Sequence, residues 1–235
     1  MAKAPIAGDV KTRLVPPLTP AEAAALNVCF LRDMAANVAT VAATHRAIGL
    51  VVYTPVGAEA AFDGVLPQGF KLLGQRGESL GDRLCNATDD LLKDGYSAVC
   101  LINSDSPTLP SMVLNRAIES LAHDDDRVVL GSTDDGGYYL IGLKQAHRNL
   151  FERIAWSTAD VLAHTIERAE EIGLPVELLP RWYDVDDAAT LNQLCEELFN
   201  AQRGDGAYSA PHTRAFLASL IEKEGSQRLC PNLTS

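Results

Sequence analysis

No run of about 18 apolar residues occurs in these 235 residues, so no helix is expected to span a membrane. Positive charge is scarce too: 20 Lys and Arg stand against 31 Asp and Glu, for a net charge of −11. A nucleic-acid binder carries a basic stripe, and none is visible. The acidic balance favours solubility and speaks against anionic membranes. It leaves room for a small polyphosphate, because a divalent cation screens such a ligand's charge locally. Residues 1–14 lack the apolar stretch of a secretion signal. The five cysteines (Cys29, Cys85, Cys100, Cys195, Cys230) include no Cys-x-x-Cys pair, and their odd number argues against both a zinc site and a disulfide framework. A reducing, cytoplasmic setting is therefore expected, with Cys100 in the core and the sequons at Asn86 and Asn232 as chance matches. The five histidines lack ligand spacing, and neither a Gly-x-Ser-x-Gly elbow nor a Walker P-loop is present. The acidic tract 123–126 reads as a solvated loop.

Apolar residues make up 47% of the chain, enough for a sizeable core. The opening residues read as loop, because Pro5, Gly8, Pro16 and Pro17 break any periodicity. Thr19, Pro20 and Glu22 then form a capping box with proline at the first helical position. Leu26, Phe30, Met34, Asn37 and Val41 follow at helical spacing to about residue 44. Further strands are expected at 48–54, 70–74, 98–103, 127–131, 138–143 and 176–179. Further helices are expected at 79–93, 110–122, 157–172, 188–199 and 213–222, with a polar linker at 200–210. This alternation predicts an α/β fold, a mostly parallel mixed sheet flanked by helices in three layers. A single domain over 1–199 with a linker and tail helix over 200–235 is the expected organisation.

Five segments carry candidate chemistry. Residues 3–13 hold Lys3, Gly8, Lys11, Thr12 and Arg13; backbone N–H groups of such a loop approach phosphates, and its cations add charge-assisted bonds. Asp105 follows the apolar strand 98–103, and ligands of open α/β sheets sit beyond the carboxyl ends of strands. An aspartate there can bind Mg2+ or Mn2+ through oxygen; the competing reading is an Asx-turn. Asp184 and Asp186 share one side of an extended segment and could complete a metal site, while Asp186 or Asp187 could instead cap the following helix. Asp134, Asp135, Gly136 and Gly137 form either a ligand-approach loop or a plain hairpin turn. Gly81 and Arg83 could contact a nucleotide, or merely open a helix.

In order, AKAPIAGDVKTRL (2–14), GESLGDRL (77–84), NSDSPTLP (103–110), LGSTDDGGYYLIGL (130–143), the Trp156-Ser157 helix start and WYDVDDAATL (182–191) resemble a bacterial glycosyltransferase family, also called radical-SAM/selenodomain-associated transferase 1. That family belongs to the nucleotide-diphospho-sugar transferase superfamily with the GT-A fold. The resemblance implies a nucleotide at Lys3, Gly8, Lys11, Thr12, Arg13, Gly81 and Arg83. It implies a divalent metal at Asp105 and Asp186, and an acceptor or sugar side at Asp135, Gly136, Gly137, Tyr138 and Trp156. Lys11 and Asp135 are the candidate catalytic residues. Family members carry an apolar strand before the first motif, whereas here the chain starts in the loop itself.

The same loop and long helix resemble 2-phospholactate guanylyltransferases, which keeps nucleotidyl transfer open. In glycosyl transfer an acceptor attacks the sugar carbon and a nucleoside diphosphate leaves. In nucleotidyl transfer a substrate phosphate attacks the α-phosphorus and pyrophosphate leaves. Metal and basic residues stabilise the departing charge in both. A non-catalytic nucleotide-binding module is the third reading. The expected partners are a nucleotide or nucleotide-sugar donor and a small acceptor; base, sugar, acceptor and oligomeric state are not encoded in any motif.

Overall fold

A computed structural model describes residues 1–200 and 206–231. Part of the expected linker and the sequon at Asn232 lie outside the described residues. In chain order the elements are β1 (Ala2–Lys3), α1 (Pro20–Thr44), β2 (Leu50–Thr54), β3 (Lys71–Gly74), α2 (Leu80–Lys93), β4 (Val99–Ile102), α3 (Ser111–Leu121), β5 (Val128–Thr133), β6 (Tyr138–Leu143), α4 (Val161–Glu171), β7 (Val176–Trp182), α5 (Ala188–Phe199) and α6 (Pro211–Glu224), joined by short 3-10 turns. No described helix is long and apolar enough to cross a membrane.

Two compact units draw on alternate stretches of the chain. One takes Ala2–Leu72, Ser104–Ser111 and the chain from Asp184 onward; the other takes Leu73–Asn103 and Met112–Tyr183, with Met1.

In the first unit, Ala2 and Lys3 pair in parallel with Tyr53 and Thr54 of β2, so the chain opens in a strand rather than in the expected loop. Two residues are too few to show a periodicity, and burial of Ala2 and Ala4 beside Val51, Tyr53, Leu31 and Phe62 seats them. The strand order here is β1-β2-β3. The predicted capping box of α1 forms: Thr19 accepts from the Glu22 amide while the Glu22 side chain accepts from the Thr19 amide. Helix α6 has no cap of its own, because Ala210 precedes it. Instead the fully buried Asp33 of α1 accepts from the amides of His212 and Thr213, at 3.0 and 2.7 Å. Cys195 of α5 and Cys230 form a disulfide, although the odd number of cysteines argued against a disulfide framework. Their separation of 35 residues carries no local signal; the fold makes them neighbours.

In the second unit the strand order is β4-β6-β5-β7. The β4–β6 and β5–β6 ladders are antiparallel and the β5–β7 ladder is parallel. Strand β7 runs past the expected end at 179 to Trp182, through Pro180. An edge strand tolerates the missing amide of a proline. Helix α4 starts at Val161 rather than at 157, because Ser157 has φ of 64°, in the left-handed region that a helix cannot include. The core strands β5 and β6 bury Val128, Val129, Leu130, Leu140 and Ile141 almost completely.

Candidate active site

Lys11, Arg13, Asp105 and Asp186 come together within the first unit. The Lys11 ammonium lies 2.5 Å from Asp105 Oδ1 and 3.2 Å from Asp186 Oδ1, and it donates to the Val185 carbonyl at 2.7 Å. Arg13 pairs with the other oxygen, Asp186 Oδ2. The Lys11 side chain is only 5% exposed, whereas both carboxylates are 31% exposed and Arg13 is 70% exposed. The Lys11 ammonium also stands 5.3 Å from the ring centre of the fully buried Phe30. Two cations and two anions make the cluster neutral in sum.

The backbone explains how the cluster is held. Lys11 itself has φ of 50° and ψ of 36°, left-handed values that a non-glycine residue rarely adopts. From there its carbonyl accepts from the Leu14 amide at 2.9 Å and closes the 3-10 turn Thr12–Leu14. Among the described residues, the amides of Ala7, Gly8, Thr12 and Arg13 meet no acceptor, and all four residues are exposed. Lys3 folds back onto the Asp9 carbonyl at 2.7 Å.

The loop bearing Asp105 is stitched down on several sides. Val185 N–H donates to the Asp105 carbonyl at 2.8 Å, which ties the two aspartate loops to each other. Fully buried Asn37 of α1 donates to the Leu109 carbonyl at 2.7 Å and accepts from the Ser111 hydroxyl at 2.6 Å. Thr108 donates to Glu197 of α5 at 3.1 Å, and its carbonyl accepts from the Tyr208 amide. Asn37 belongs to this support and was not among the sequence candidates, although a polar residue on an apolar helix face was a visible signal. Of the two capping aspartates, Asp187 takes that role: it accepts from the Thr190 amide at 2.9 Å, which holds its carboxyl below the usual range. Asp186 is thereby left for Lys11 and Arg13.

The remaining candidates lie in the second unit. Asp134 to Gly137 form the β5–β6 hairpin turn, with Thr133 N–H bonded to Gly137 O at 3.0 Å. Asp135 Oδ1 accepts from Thr133 Oγ1 at 2.5 Å and from the Gly137 amide at 3.0 Å. Gly136 has φ of 88°, and a Cβ there would stand 2.0 Å from the Ala159 carbonyl oxygen. Gly81 opens α2 against the Trp156 indole, with room for no Cβ: one would meet Phe151 O at 2.8 Å and Trp156 Nε1 at 3.0 Å. Arg83 holds its own loop, donating to Gly77 O at 3.1 Å and Glu78 O at 3.4 Å. The Tyr138 hydroxyl is pushed well above its usual range by burial. Asp126 of the acidic tract bonds to His147 at 2.7 Å. No group of three His, Cys, Asp or Glu placed to hold a metal occurs among the described residues.

This architecture is the nucleotide-diphospho-sugar transferase fold. The chain is similar over 97% of its length, and over 95% of the other chain, to a crystal structure of a "putative nucleotide-diphospho-sugar transferase" from Desulfovibrio desulfuricans G20, at 31% identity and a TM-score of 0.82. The chain belongs to the DUF2064 family, described as an uncharacterized protein conserved in bacteria, whose pattern matches residues 37–158. More distant structures are CMP:2-keto-3-deoxy-manno-octonic acid synthetase complexed with CTP, at 14% identity over 80% of this chain and 88% of that one, TM-score 0.47. Another is 4-diphosphocytidyl-2C-methyl-D-erythritol synthase, at 15% over 78% and 89%, TM-score 0.38. Both likenesses are too low to lend this chain an activity. No curated protein sequence matches it significantly.

Proposed function

We propose that this chain is a metal-dependent transferase that takes a glycosyl group from a nucleotide sugar and passes it to a small acceptor. The observation that carries the reading is the convergence of Lys11, Arg13, Asp105 and Asp186, from three separate stretches of chain, on one partly open point. The name carried by the Desulfovibrio protein, similar along almost the whole chain, supports the donor class.

The donor set suits Mg2+ or Mn2+. Asp105 and Asp186 direct one oxygen each at a common cation, and both carboxylates remain partly open to solvent. Such ions are commonly held by one or two carboxylates, with substrate phosphates and waters completing the shell. A divalent cation there would screen the diphosphate charge that develops as the nucleoside diphosphate departs. Arg13, exposed beyond its ion pair, and Lys11 add positive charge for the same oxygens. The open amides of Ala7, Gly8, Thr12 and Arg13 offer phosphate oxygens further donors. Asp135 is the proposed acceptor-side base: one oxygen is committed to the turn, and the other meets no partner among the described residues.

A second reading, nucleotidyl transfer with release of pyrophosphate, is favoured by one feature: two cations and four open amides on a single loop exceed what a diphosphate requires. The test is a thermal-shift panel of nucleotide sugars and nucleoside triphosphates with Mn2+, followed by product assays on the ligands that bind. A ligand at 100-fold above its Kd adds about 2.7 kcal/mol of stability. Nucleoside diphosphate release with a nucleotide sugar, lost in Asp105→Ala while the fold persists, is the expected result. Turnover undiminished in Asp105→Ala would refute the role of the carboxylate pair. Pyrophosphate release from a triphosphate would select the second reading.

A further inference from the structure

We propose that Lys11 is the resting counter-ion of the Asp105–Asp186 pair, and that it yields the two carboxylates to a divalent cation only when a polyphosphate donor arrives to receive it. This inference rests on the site reading given above and adds the order in which the site fills.

Three observations support it. First, the Lys11 ammonium is a fully satisfied cation: its three protons have three acceptors, Asp105 Oδ1, Asp186 Oδ1 and the Val185 carbonyl, at 2.5, 3.2 and 2.7 Å. A buried, paired charge of this kind is costly to strand. Second, the Oδ1 atoms that Lys11 holds are the carboxylate oxygens that converge, so Lys11 competes directly with any metal for them. Third, the cluster is already neutral, with Arg13 on the remaining oxygen of Asp186. Adding two positive charges to it beside an ammonium is opposed at short range. A diphosphate removes that opposition twice over: its negative charge balances the incoming cation, and its oxygens replace the carboxylates as acceptors for Lys11. Free metal is therefore held off, and metal and donor enter as a coupled pair.

The experiment reads metal occupancy rather than turnover. Mn2+ binding is followed by electron paramagnetic resonance for wild type, Lys11→Met and Lys11→Met with Asp105→Asn, first with Mn2+ alone and then with the nucleoside diphosphates UDP, GDP, CDP and ADP. Wild type is expected to bind free Mn2+ weakly, and Lys11→Met to bind it roughly tenfold more tightly or better. The double variant should lose that gain. In wild type, one of the nucleoside diphosphates should raise Mn2+ affinity by a similar factor. A second measurement needs no variant: acylation of wild type, mapped by mass spectrometry, should find Lys11 protected in buffer and still protected with Mn2+ alone. Equal binding of free Mn2+ by wild type and Lys11→Met, or Lys11 exposed to the label by Mn2+ alone, would overturn the exchange and leave the metal site standing. No Mn2+ binding by any form, with or without nucleotide, would overturn the metal site and the exchange together.

Discussion

Replacing Asn37 by alanine tests whether the helix α1 holds the Asp105 loop in place. Asn37 is fully buried; its amide donates to Leu109 O at 2.7 Å and its carbonyl accepts from Ser111 Oγ at 2.6 Å. Alanine removes both partners at once and leaves a buried carbonyl and a hydroxyl without them. Each stranded group costs about 1–3 kcal/mol, so the expected loss is about 2–5 kcal/mol. For a chain of this size that corresponds to a fall in Tm of roughly 5–15 °C. Urea unfolding monitored by circular dichroism supplies the number. Ser111→Ala, which breaks only one of the two bonds, should lose about 1–2 kcal/mol. The double variant should fall short of the sum by about 0.5 kcal/mol or more, since the two residues share a bond. Residues 104–111 carry Asp105, so the metal-dependent thermal shift that the proposed function expects with donor should be weaker in Asn37→Ala even at temperatures where the protein is folded. A loss below about 1 kcal/mol with an unchanged m value would refute the reasoning, because the stranded groups would then have found water or other partners.

Two further outcomes follow from the same kind of accounting. Glu22 accepts from Arg228 and from the Thr19 amide, and its carboxyl is held at about 2 against an ordinary 4.5, chiefly by the bond from Arg228. A carboxyl depressed by folding stabilises the fold above its unfolded value and loses that contribution as pH falls, here between 4.5 and about 2. After allowance for solvent screening the loss is about 1–2 kcal/mol; Arg228→Gln should flatten that part of the acid-unfolding profile, and an unchanged profile would contradict the assignment. Gly136→Ala should cost more than about 3 kcal/mol, because left-handed strain is joined by a clash with the Ala159 backbone. Gly173→Ala has φ of 65° but open space around its Cβ, and should cost only about 1 kcal/mol in the same denaturation assay; equal losses at the two positions would show that the clash relaxes.

Signals confined to a few neighbouring residues were readable in the sequence. The Thr19–Glu22 capping box opens α1 where expected, since a cap needs only two side chains three residues apart, and α2 starts within a residue of its expected position at 79. The failures are of another kind. Strand β1 spans two residues and exists because β2 is beside it. Strand β7 crosses Pro180 because it lies at a sheet edge, a fact of topology. The Cys195–Cys230 bond likewise depends on elements far apart in sequence.

The site divides along the same line. Each of Lys11, Arg13, Asp105 and Asp186 sits in a motif with a recognisable composition, so all four could be chosen as phosphate or metal residues one segment at a time. Their pairing could not, since Lys11 and Asp186 are 175 residues apart. That pairing changes the chemistry read from the motifs. Taken separately, the loop lysine is a free donor for phosphate and the aspartates are free ligands for a metal. Taken together, each satisfies the other, and neither ligand class enters without displacing an existing bond. On the exchange proposed above, a site neutral at rest would discriminate against free metal and free anion alike, and would accept the pair whose charges cancel. On that proposal, selection for a metal-bound polyphosphate would follow from the ion pairing itself, before any contact with a base or a sugar.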